Sequence, residues 1–350
     1  MELDQIWDEY GLSSLENGIN ALLPRRTFSL ERVLLKLMDG RVLEAVKELF
    51  LGSLEDIKVQ TKSIRQIIIW VLVLGILSAF ITRFMEVFEK KQLADLGYYF
   101  IFLLLSTILL RCFYYQGQVA KEALEKILFF NKVLIPAYML AIGLSTGVST
   151  ATFGYQIFLL STYGVEKVFR NFLYPLIRCF CLFVVMNGIW RGDRLNYLME
   201  LLQKGIGWIL KASVSVVLGI GIVQRLITPI VDGMSKSVMR KVIAVVPGVG
   251  DAAEGVMDMM IGSATVIKNS MGVVLLVLLI VVCLVPLIQI LLTSVLLKVS
   301  AALVGIVSDK KISYCTDQMG EAGLLLFRLL ATAMFLFFIS IAVMAGAMVR

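Results

Sequence analysis

The sequence predicts an all-α, polytopic integral membrane protein. Apolar residues make up 59% of its 350 residues, against roughly 45–50% in an ordinary soluble domain, and its mean hydropathy is +0.88. Several windows approach the ~20 apolar residues that cross a bilayer as a helix, notably 96–110, 172–190, 273–297 and 324–349. Because apolar and polar residues do not alternate in these windows, helices are predicted rather than the strands of a barrel.

The basic charge balance of the chain favours a lipid partner over a nucleic acid. The formal net charge is +7 and the isoelectric point is about 9.1. Lys and Arg are spread through the chain and form no single stripe, so contact with anionic headgroups is predicted. The chain has no His, which excludes His-based triads and His metal ligands. We predict no catalytic residue, cofactor or metal site, and we interpret the five Cys residues as small apolar side chains.

Residues 1–63 differ in kind from the rest, because they are charged, mixed in sign and contain no apolar span. Apolar residues at helical spacing predict at least two amphipathic extramembrane helices here; they are Leu12, Leu15, Ile19 and Leu22, then Leu43, Val46, Phe50, Leu54 and Ile57. No apolar core of a secretion signal precedes them, so we expect no cleavable signal. Residues 64–95 are predicted to hold a first span, 64–81, and a charged loop.

An internal repeat is the main organising feature of the remaining sequence. LeuTyrProLeuIleArg at 173–178 matches LeuValProLeuIleGln at 284–289, and Pro136 and Pro247 are separated by the same 111 residues. Further pairs follow in the same order with offsets of 115 to 117 residues; they are Gly205 with Gly320, Asp193 with Asp309, and Lys211 with Arg328. An ordered series of this kind predicts duplication.

The repeat divides the chain into two related membrane units, at 96–207 and 208–323, and a final span at 324–350. Each unit would contain a span, an amphipathic segment, a Pro-led segment and a long span with a central proline. Duplicated halves with broken helices are typical of transporters and channels. The sequence leaves the number of crossings open, and with it the choice between parallel and inverted halves. Basic residues fall in every predicted loop, so the positive-inside rule gives no orientation; among them are Lys121, Lys126, Lys132, Lys167 and Arg170.

The segment 245–272 interrupts the apolar sequence with three carboxylates and a lysine. Pro247 is predicted to end the preceding helix, and Gly248 and Gly250 permit the turns that follow. Asp251 stands where an N-cap belongs, with Glu254 three residues later as in a capping box. Gly-x-Gly here completes no nucleotide-binding motif.

Asp251, Glu254 and Asp258 are predicted to share one helical face, since they are spaced by three and four residues. Two interpretations stay open: a solvated amphipathic helix at the membrane surface, or a polar helix that lines a cavity or docks a basic partner. Lys268 and Asn269 continue the polar stretch, and Lys268 either neutralises one of these acids or marks the membrane edge.

Two prolines are predicted to kink their spans next to a polar residue. Pro175 precedes Arg178, and Pro286 precedes Gln289. A proline frees a backbone carbonyl inside a helix, and a polar side chain in a span must face protein or water. We therefore predict interior-facing positions there, with Arg178 and Gln289 as candidate pore-lining or docking residues. Pro136 is predicted to be a third architectural turn.

Four stretches carry a resemblance to a known family. They are LeuAspGlnIleTrpAspGluTyrGly at 3–11, the Gly- and Ser-rich segment after Pro136, ValProGlyValGlyAsp at 246–251 followed by SerAlaThrValIleLysAsnSerMetGly at 263–272, and the span with Pro286 and Lys298. On these stretches the sequence resembles the stage III sporulation protein AE family of endospore-forming bacteria over nearly the whole chain.

The resemblance implies a non-enzymatic, multi-pass protein of the mother-cell membrane around the forespore. Its implied partners are the other membrane proteins of the same sporulation operon, including ring-forming subunits and an ATPase, and a forespore partner across the intermembrane space. The implied assembly is a secretion or feeding channel that keeps the forespore active late in development. No catalytic residue carries over from the family.

One alternative function stays open from the sequence. A secondary transporter that acts alone is also built from duplicated halves, and it would place Arg178, Asp251, Glu254 and Asp258 at the repeat interface as ligands of a substrate or ion. An intramembrane enzyme is disfavoured, because His is absent and no nucleophile stands beside a base.

Overall fold

The fold is a bundle of long helices, taken from a computed structural model of the chain. The structure describes residues 65–81, 84, 91–146, 150–189, 195–243, 280, 283–306, 308 and 310–346. Side chains are described in the same ranges except at 91–95, 133–146, 150–155, 224–243 and 341–346. Every element within these ranges is helical, which confirms the predicted all-α class for this part of the chain.

Within the described ranges, seven α-helices form the bundle. They are α1 (Arg65–Ile81), α2 (Lys91–Thr146), α3 (Thr150–Val168), α4 (Tyr174–Ile189), α5 (Asn196–Ile243), α6 (Cys283–Ile306) and α7 (Lys310–Gly346). A π-helical turn, Phe169–Leu173, joins α3 to α4 without interrupting the rod.

In the part of the chain that the structure describes, five helical stretches are long and apolar enough to cross a membrane. They are Leu96–Lys132, Gln156–Ile189, Asn196–Val223, Cys283–Ile306 and Lys310–Ser340. At 1.5 Å per residue, the 56 residues of α2 extend about 84 Å, well beyond the ~30 Å of a hydrocarbon core. These helices indicate a multi-pass membrane protein. The helix α1 is also apolar but shorter.

The helix α2 forms an antiparallel hairpin with the rod of α3 and α4. The aromatic ring of Phe102 lies against Gly188 near one end of the hairpin, and the Tyr174 hydroxyl lies against Gly117 further along α2. At the turn between α3 and α4, the Tyr174 N–H bonds to the Phe169 carbonyl five residues earlier. Pro175 is the next residue. Its missing N–H therefore falls where the helical hydrogen bonds have already changed from the carbonyl four residues earlier to the carbonyl five residues earlier.

The helix α7 packs against α2, α3, α4 and α5 and provides much of the core. Its buried apolar side chains recur at intervals of three and four residues, which is the period of one helical face; they include Cys315, Met319, Ala322, Leu326, Leu329, Ala333 and Phe337. The helix α6 runs antiparallel to α7, because Ala301 accepts a hydrogen bond from Ser313 and Ser294 lies beside Gly323. The helix α1 meets α6 where Gly75 touches Val304.

Many hydroxyl groups on these helices form hydrogen bonds within their own helix. Many Ser and Thr side chains donate to the carbonyl four residues earlier, as Thr293 does to Gln289 at 2.7 Å and Thr316 does to Ile312 at 2.8 Å. Such bonds remove the cost of a free hydroxyl in an apolar medium.

Several predicted boundaries fall inside helices. The unit starts predicted at 96, 208 and 324 lie within α2, α5 and α7, so no loop separates the predicted units there. The duplication itself stays a prediction. The predicted amphipathic segment of the first unit, residues 119–130, and the Pro-led segment after it also belong to the single helix α2.

The prediction that basic residues mark loops is wrong at five positions. Lys121, Lys126 and Lys132 lie on α2, while Lys167 lies on α3 and Arg170 on the π-helical turn. Four of these side chains are exposed and that of Lys126 is partly buried, so the charges lie on the surface of the helices although no loop is present there.

Candidate functional site

Four charged side chains form a connected network between α6 and α7, called here the ion network. Lys298 of α6 places its Nζ 3.0 Å from Glu321 Oε2 and 3.3 Å from Asp317 Oδ1. Arg328, two turns further along α7, places its Nη2 3.2 Å from Glu321 Oε1. The Glu321 side chain is only 11% exposed, so it is the buried centre of the network. Two cations and two carboxylates balance in charge.

The helix α5 joins the ion network through Gln203. Its Nε2 donates to Glu321 Oε1 at 2.9 Å. Glu321 therefore accepts from three donors that stand on α5, α6 and α7, which ties these helices together at one level of the bundle. Charged groups on apolar spans are costly unless they are paired, and their presence there is by default a functional hypothesis.

A buried polar contact lies beside the ion network where α2, α6 and α7 meet. Ser294 Oγ donates to the Ile290 carbonyl at 2.6 Å and lies 3.4 Å from Gln116 Oε1. A Cβ on Gly323 would stand only 2.2 Å from Ser294 Oγ and 2.4 Å from Gln116 Oε1, and one on Gly320 would stand 3.0 Å from the Ser294 carbonyl oxygen. The two glycines thus permit the close approach of α7 to α6 and α2.

A second polar region lies inside the bundle at the junction of α2, α3 and α7. Asn131 of α2 donates through Nδ2 to Glu166 Oε2 of α3. Thr162, one turn before Glu166 on α3, accepts a hydrogen bond at 3.2 Å from the Oγ of Ser340, which lies on α7. Both Glu166 and Thr162 are 0% exposed. Here a carboxyl group is enclosed with a neutral amide as its partner.

A third polar group closes the connection between α4 and α5. Asn187, 3% exposed, donates through Nδ2 to Asn196 Oδ1 at 2.7 Å and accepts the Leu195 N–H at 3.2 Å. Tyr314 of α7 donates its hydroxyl to the same Asn196 oxygen at 3.1 Å. The first residues of α5 are thereby fixed to the end of α4 and to α7.

The structure separates the two predicted pore-lining residues that it describes. Gln289 is buried on α6, at 6% exposure. Arg178 is exposed on α4, with its guanidinium 6.0 Å from the centre of the Tyr174 ring. The prediction of an interior-facing Arg178 is therefore wrong within this chain, because stacking on an aromatic face stabilises the cation at the bundle surface. A role of either residue in lining or docking stays a prediction.

The predicted kinks are described only in part. Pro175 is the second residue of α4, directly after the π-helical turn, and Pro286 is the fourth residue of α6. The backbone at Pro136 is helical, within α2. A kink at any of the three stays a prediction.

Most predicted site residues lie outside the described ranges. They are Pro247, Gly248, Gly250, Asp251, Glu254, Asp258, Lys268 and Asn269, together with the whole N-terminal region 1–63.

The ion network and the Asn131–Glu166 pair were missed by the sequence interpretation. Asp317 and Glu321 are four residues apart and Arg328 is seven further on, so their shared helical face was a usable signal. Glu166 was not recognised as an interior residue, because Lys167 and Arg170 follow it and the three charges together predict a loop.

The chemistry that these groups offer is ionic and proton-based. Within the described ranges, no group of three or more Cys, Asp or Glu side chains is placed to hold a metal ion. Cys112, Cys181, Cys283 and Cys315 are buried free thiols, and Cys179 is an exposed one.

Comparison with known proteins gives a consistent result. The profile of a family described as "Stage III sporulation protein AE" matches residues 28–348. A relative of that name from Bacillus subtilis (strain 168) is 22% identical over 263 residues, which covers 74% of this chain. The match spans 65% of the relative's own length. No solved structure matches the chain.

Proposed function

The chain belongs to the stage III sporulation protein AE family, and on this basis we propose that it is a non-enzymatic membrane subunit of a sporulation-specific channel. The channel would serve secretion or feeding between the mother cell and the forespore and would support late gene expression in the forespore. The observation that carries the proposal is the family match over residues 28–348, which includes the whole described bundle.

The proposal places the protein in the mother-cell membrane that surrounds the forespore, with other membrane proteins of its operon as partners. Ring-forming subunits and an ATPase are the partners proposed. Five apolar helices of sufficient length support a multi-pass subunit. The acidic residues Asp251, Glu254 and Asp258 are proposed as a docking or lining face.

The packing of the bundle favours a conduit between subunits over one through a single chain. Large aromatic side chains fill the described interior, and Phe102, Phe158, Phe180 and Phe337 are all 0% exposed. Interiors packed in this way leave little room for water. The protein would therefore act as a scaffold whose outer faces meet its partners.

The matched stretches are compatible with a duplicated architecture within the proposal. The stretch with Pro175 lies on the apolar span Gln156–Ile189, and the stretch with Pro286 lies on the apolar span Cys283–Ile306. Each of these spans precedes a long helix, α5 or α7.

Deletion of the gene in its native host tests the proposal. We expect sporulation to begin but late forespore gene expression to fail, and a wild-type copy expressed only in the mother cell should restore it. Restoration only by expression in the forespore, or normal late expression in the deletion strain, would refute the proposal.

A secondary transporter that acts alone is the second candidate, favoured by the charged groups on the apolar spans. It predicts that Asp251→Asn combined with Glu254→Gln abolishes flux into liposomes while the protein stays folded. Flux that survives the double substitution counts against the transporter. Glu200→Gln, in an exposed ion pair on α5, is the matched control.

A further inference from the structure

The carboxyl of Glu166 is enclosed without a cation. It is 0% exposed, Asn131 Nδ2 donates to its Oε2, and its Oε1 has no hydrogen-bond partner among the described residues. The residue lies on the apolar stretch Gln156–Ile189. Since an unpaired carboxylate is very costly in such an environment, the group is expected to remain neutral by holding a proton.

The charged groups on the neighbouring helices do not neutralise Glu166. Arg170, one turn along the rod, places its Nη2 2.7 Å from Glu125 Oε1 of α2. Cys283 of α6 is close enough for electrostatic interaction with both Glu166 and Lys126 of α2. Three further basic side chains on these helices and on α5 are exposed; they are Lys132 on α2, Lys167 on α3 and Lys211 on α5. On the facing part of α7 the polar partner is Ser340, bonded to Thr162.

Glu321 provides the contrast within the same chain. It is buried as well, but two cations and an amide donate to it. The same residue type is thus enclosed in two environments, and only the environment of Glu321 compensates a negative charge.

We propose that Glu166 is a proton-binding site in the interior of the bundle, loaded while α2, α3 and α7 are packed together. The enclosed packing requires the neutral acid, whereas the ionised group requires water or a cation at Oε1. Release of the proton is therefore tied to the opening of this junction. Asn131 is a positioning residue, because its amide holds the carboxyl against α2.

Infrared difference spectroscopy on the full-length protein in detergent tests the proposal. The difference between wild type and Glu166→Gln at neutral pH should contain the C=O stretching band of a protonated carboxyl, which disappears from the wild type at alkaline pH. Glu321→Gln is the matched control and should give the bands of a carboxylate. Carboxylate bands for Glu166 at neutral pH would overturn the proposal.

Chemical labelling provides an independent readout. Dicyclohexylcarbodiimide is apolar and adds to protonated carboxyl groups, so peptide mass spectrometry should find an adduct on Glu166 in the wild type and more than tenfold less at alkaline pH. Glu200→Gln, in an exposed ion pair on α5, is the matched control and should keep the adduct on Glu166. Labelling of Glu166 that does not change with pH, in protein that stays folded, would also overturn the proposal.

Discussion

Lys298 and Glu321 join the antiparallel helices α6 and α7 through a 3.0 Å ion pair. Both residues lie on stretches apolar enough to cross a membrane. Because Gln203 and Arg328 bind the same carboxylate, this pair fixes three helices at one level. Its loss should therefore weaken the bundle more than the loss of a pair on the surface.

Replacement of Glu321 by Gln should lower stability clearly. The substitution keeps the shape but leaves Arg328 without its carboxylate and Lys298 with Asp317 alone. We expect a loss on the order of 1–3 kcal/mol, below the ~3–5 kcal/mol of a fully buried pair because both cations are partly exposed. Thermal unfolding in detergent, followed by tryptophan fluorescence, measures it.

Glu200→Gln is the control for this substitution, since Glu200 and Lys204 form an exposed pair one turn apart on α5. Such pairs contribute about 0.3–0.5 kcal/mol. Equal losses in the two variants would show that the ion network does not hold the helices together.

Substitution of Gly323 by Ala should destabilise the junction of α2, α6 and α7. The new methyl group would stand 2.2 Å from Ser294 Oγ and 3.2 Å from Ser294 Cβ, so the buried contact between Ser294 and Gln116 must rearrange, at a cost of about 1–3 kcal/mol. Gly207→Ala on α5 is the matched control, because nothing lies within 4 Å of its Cβ position. That variant should gain up to about 1 kcal/mol from helix propensity. Similar melting temperatures for the two variants would contradict the described packing.

Removal of the Asn187 side chain should loosen the connection between α4 and α5. In Asn187→Ala the Leu195 N–H and Asn196 both lose a partner, which costs about 1–3 kcal/mol. Faster hydrogen exchange confined to residues 195–199 is the expected result. Unchanged exchange there would show that Asn187 does not cap this connection.

A cysteine pair at positions 162 and 340 should cross-link α3 to α7. The hydroxyls of Thr162 and Ser340 lie 3.2 Å apart, which is compatible with the geometry of a disulfide. In a background without the natural cysteines, Thr162→Cys with Ser340→Cys should oxidise to an internal disulfide. Thr162→Cys with Ser313→Cys is the control, because 27 residues of one helix separate positions 313 and 340, about 40 Å. Cross-linking in the control alone would refute this packing of α7.

The fold class could be predicted, because it depends on long apolar runs. The residues at which the helices begin and end could not be predicted. The helix α7 begins at Lys310, fourteen residues before the predicted span, since Asp317 and Glu321 made its first turns look polar. Their charges are paired inside the bundle, which one sequence cannot reveal. The helix α5 begins at Asn196, twelve residues before the predicted start of the second unit at 208, for a similar reason, because Glu200 and Lys204 interrupt its apolar residues.

The polar contacts inside the bundle were harder to predict than the fold, because they join residues that are far apart in the sequence. Gln116 meets Ser294 across 178 positions of the chain, and no local pattern gives such a pairing. Gln289 was correctly placed in the interior because a polar side chain in an apolar span needs protein or water around it. The same argument failed for Arg178, whose cation finds the Tyr174 ring at the surface.

The composition of the protein after gentle solubilisation from sporulating cells of its native host tests the central claim most directly. The proposed channel subunit should be isolated with other membrane proteins of its operon in fixed stoichiometry, as measured by native mass spectrometry. Isolation as a monomer or small homo-oligomer, under conditions that keep other membrane complexes intact, would contradict the claim and favour a transporter that acts alone.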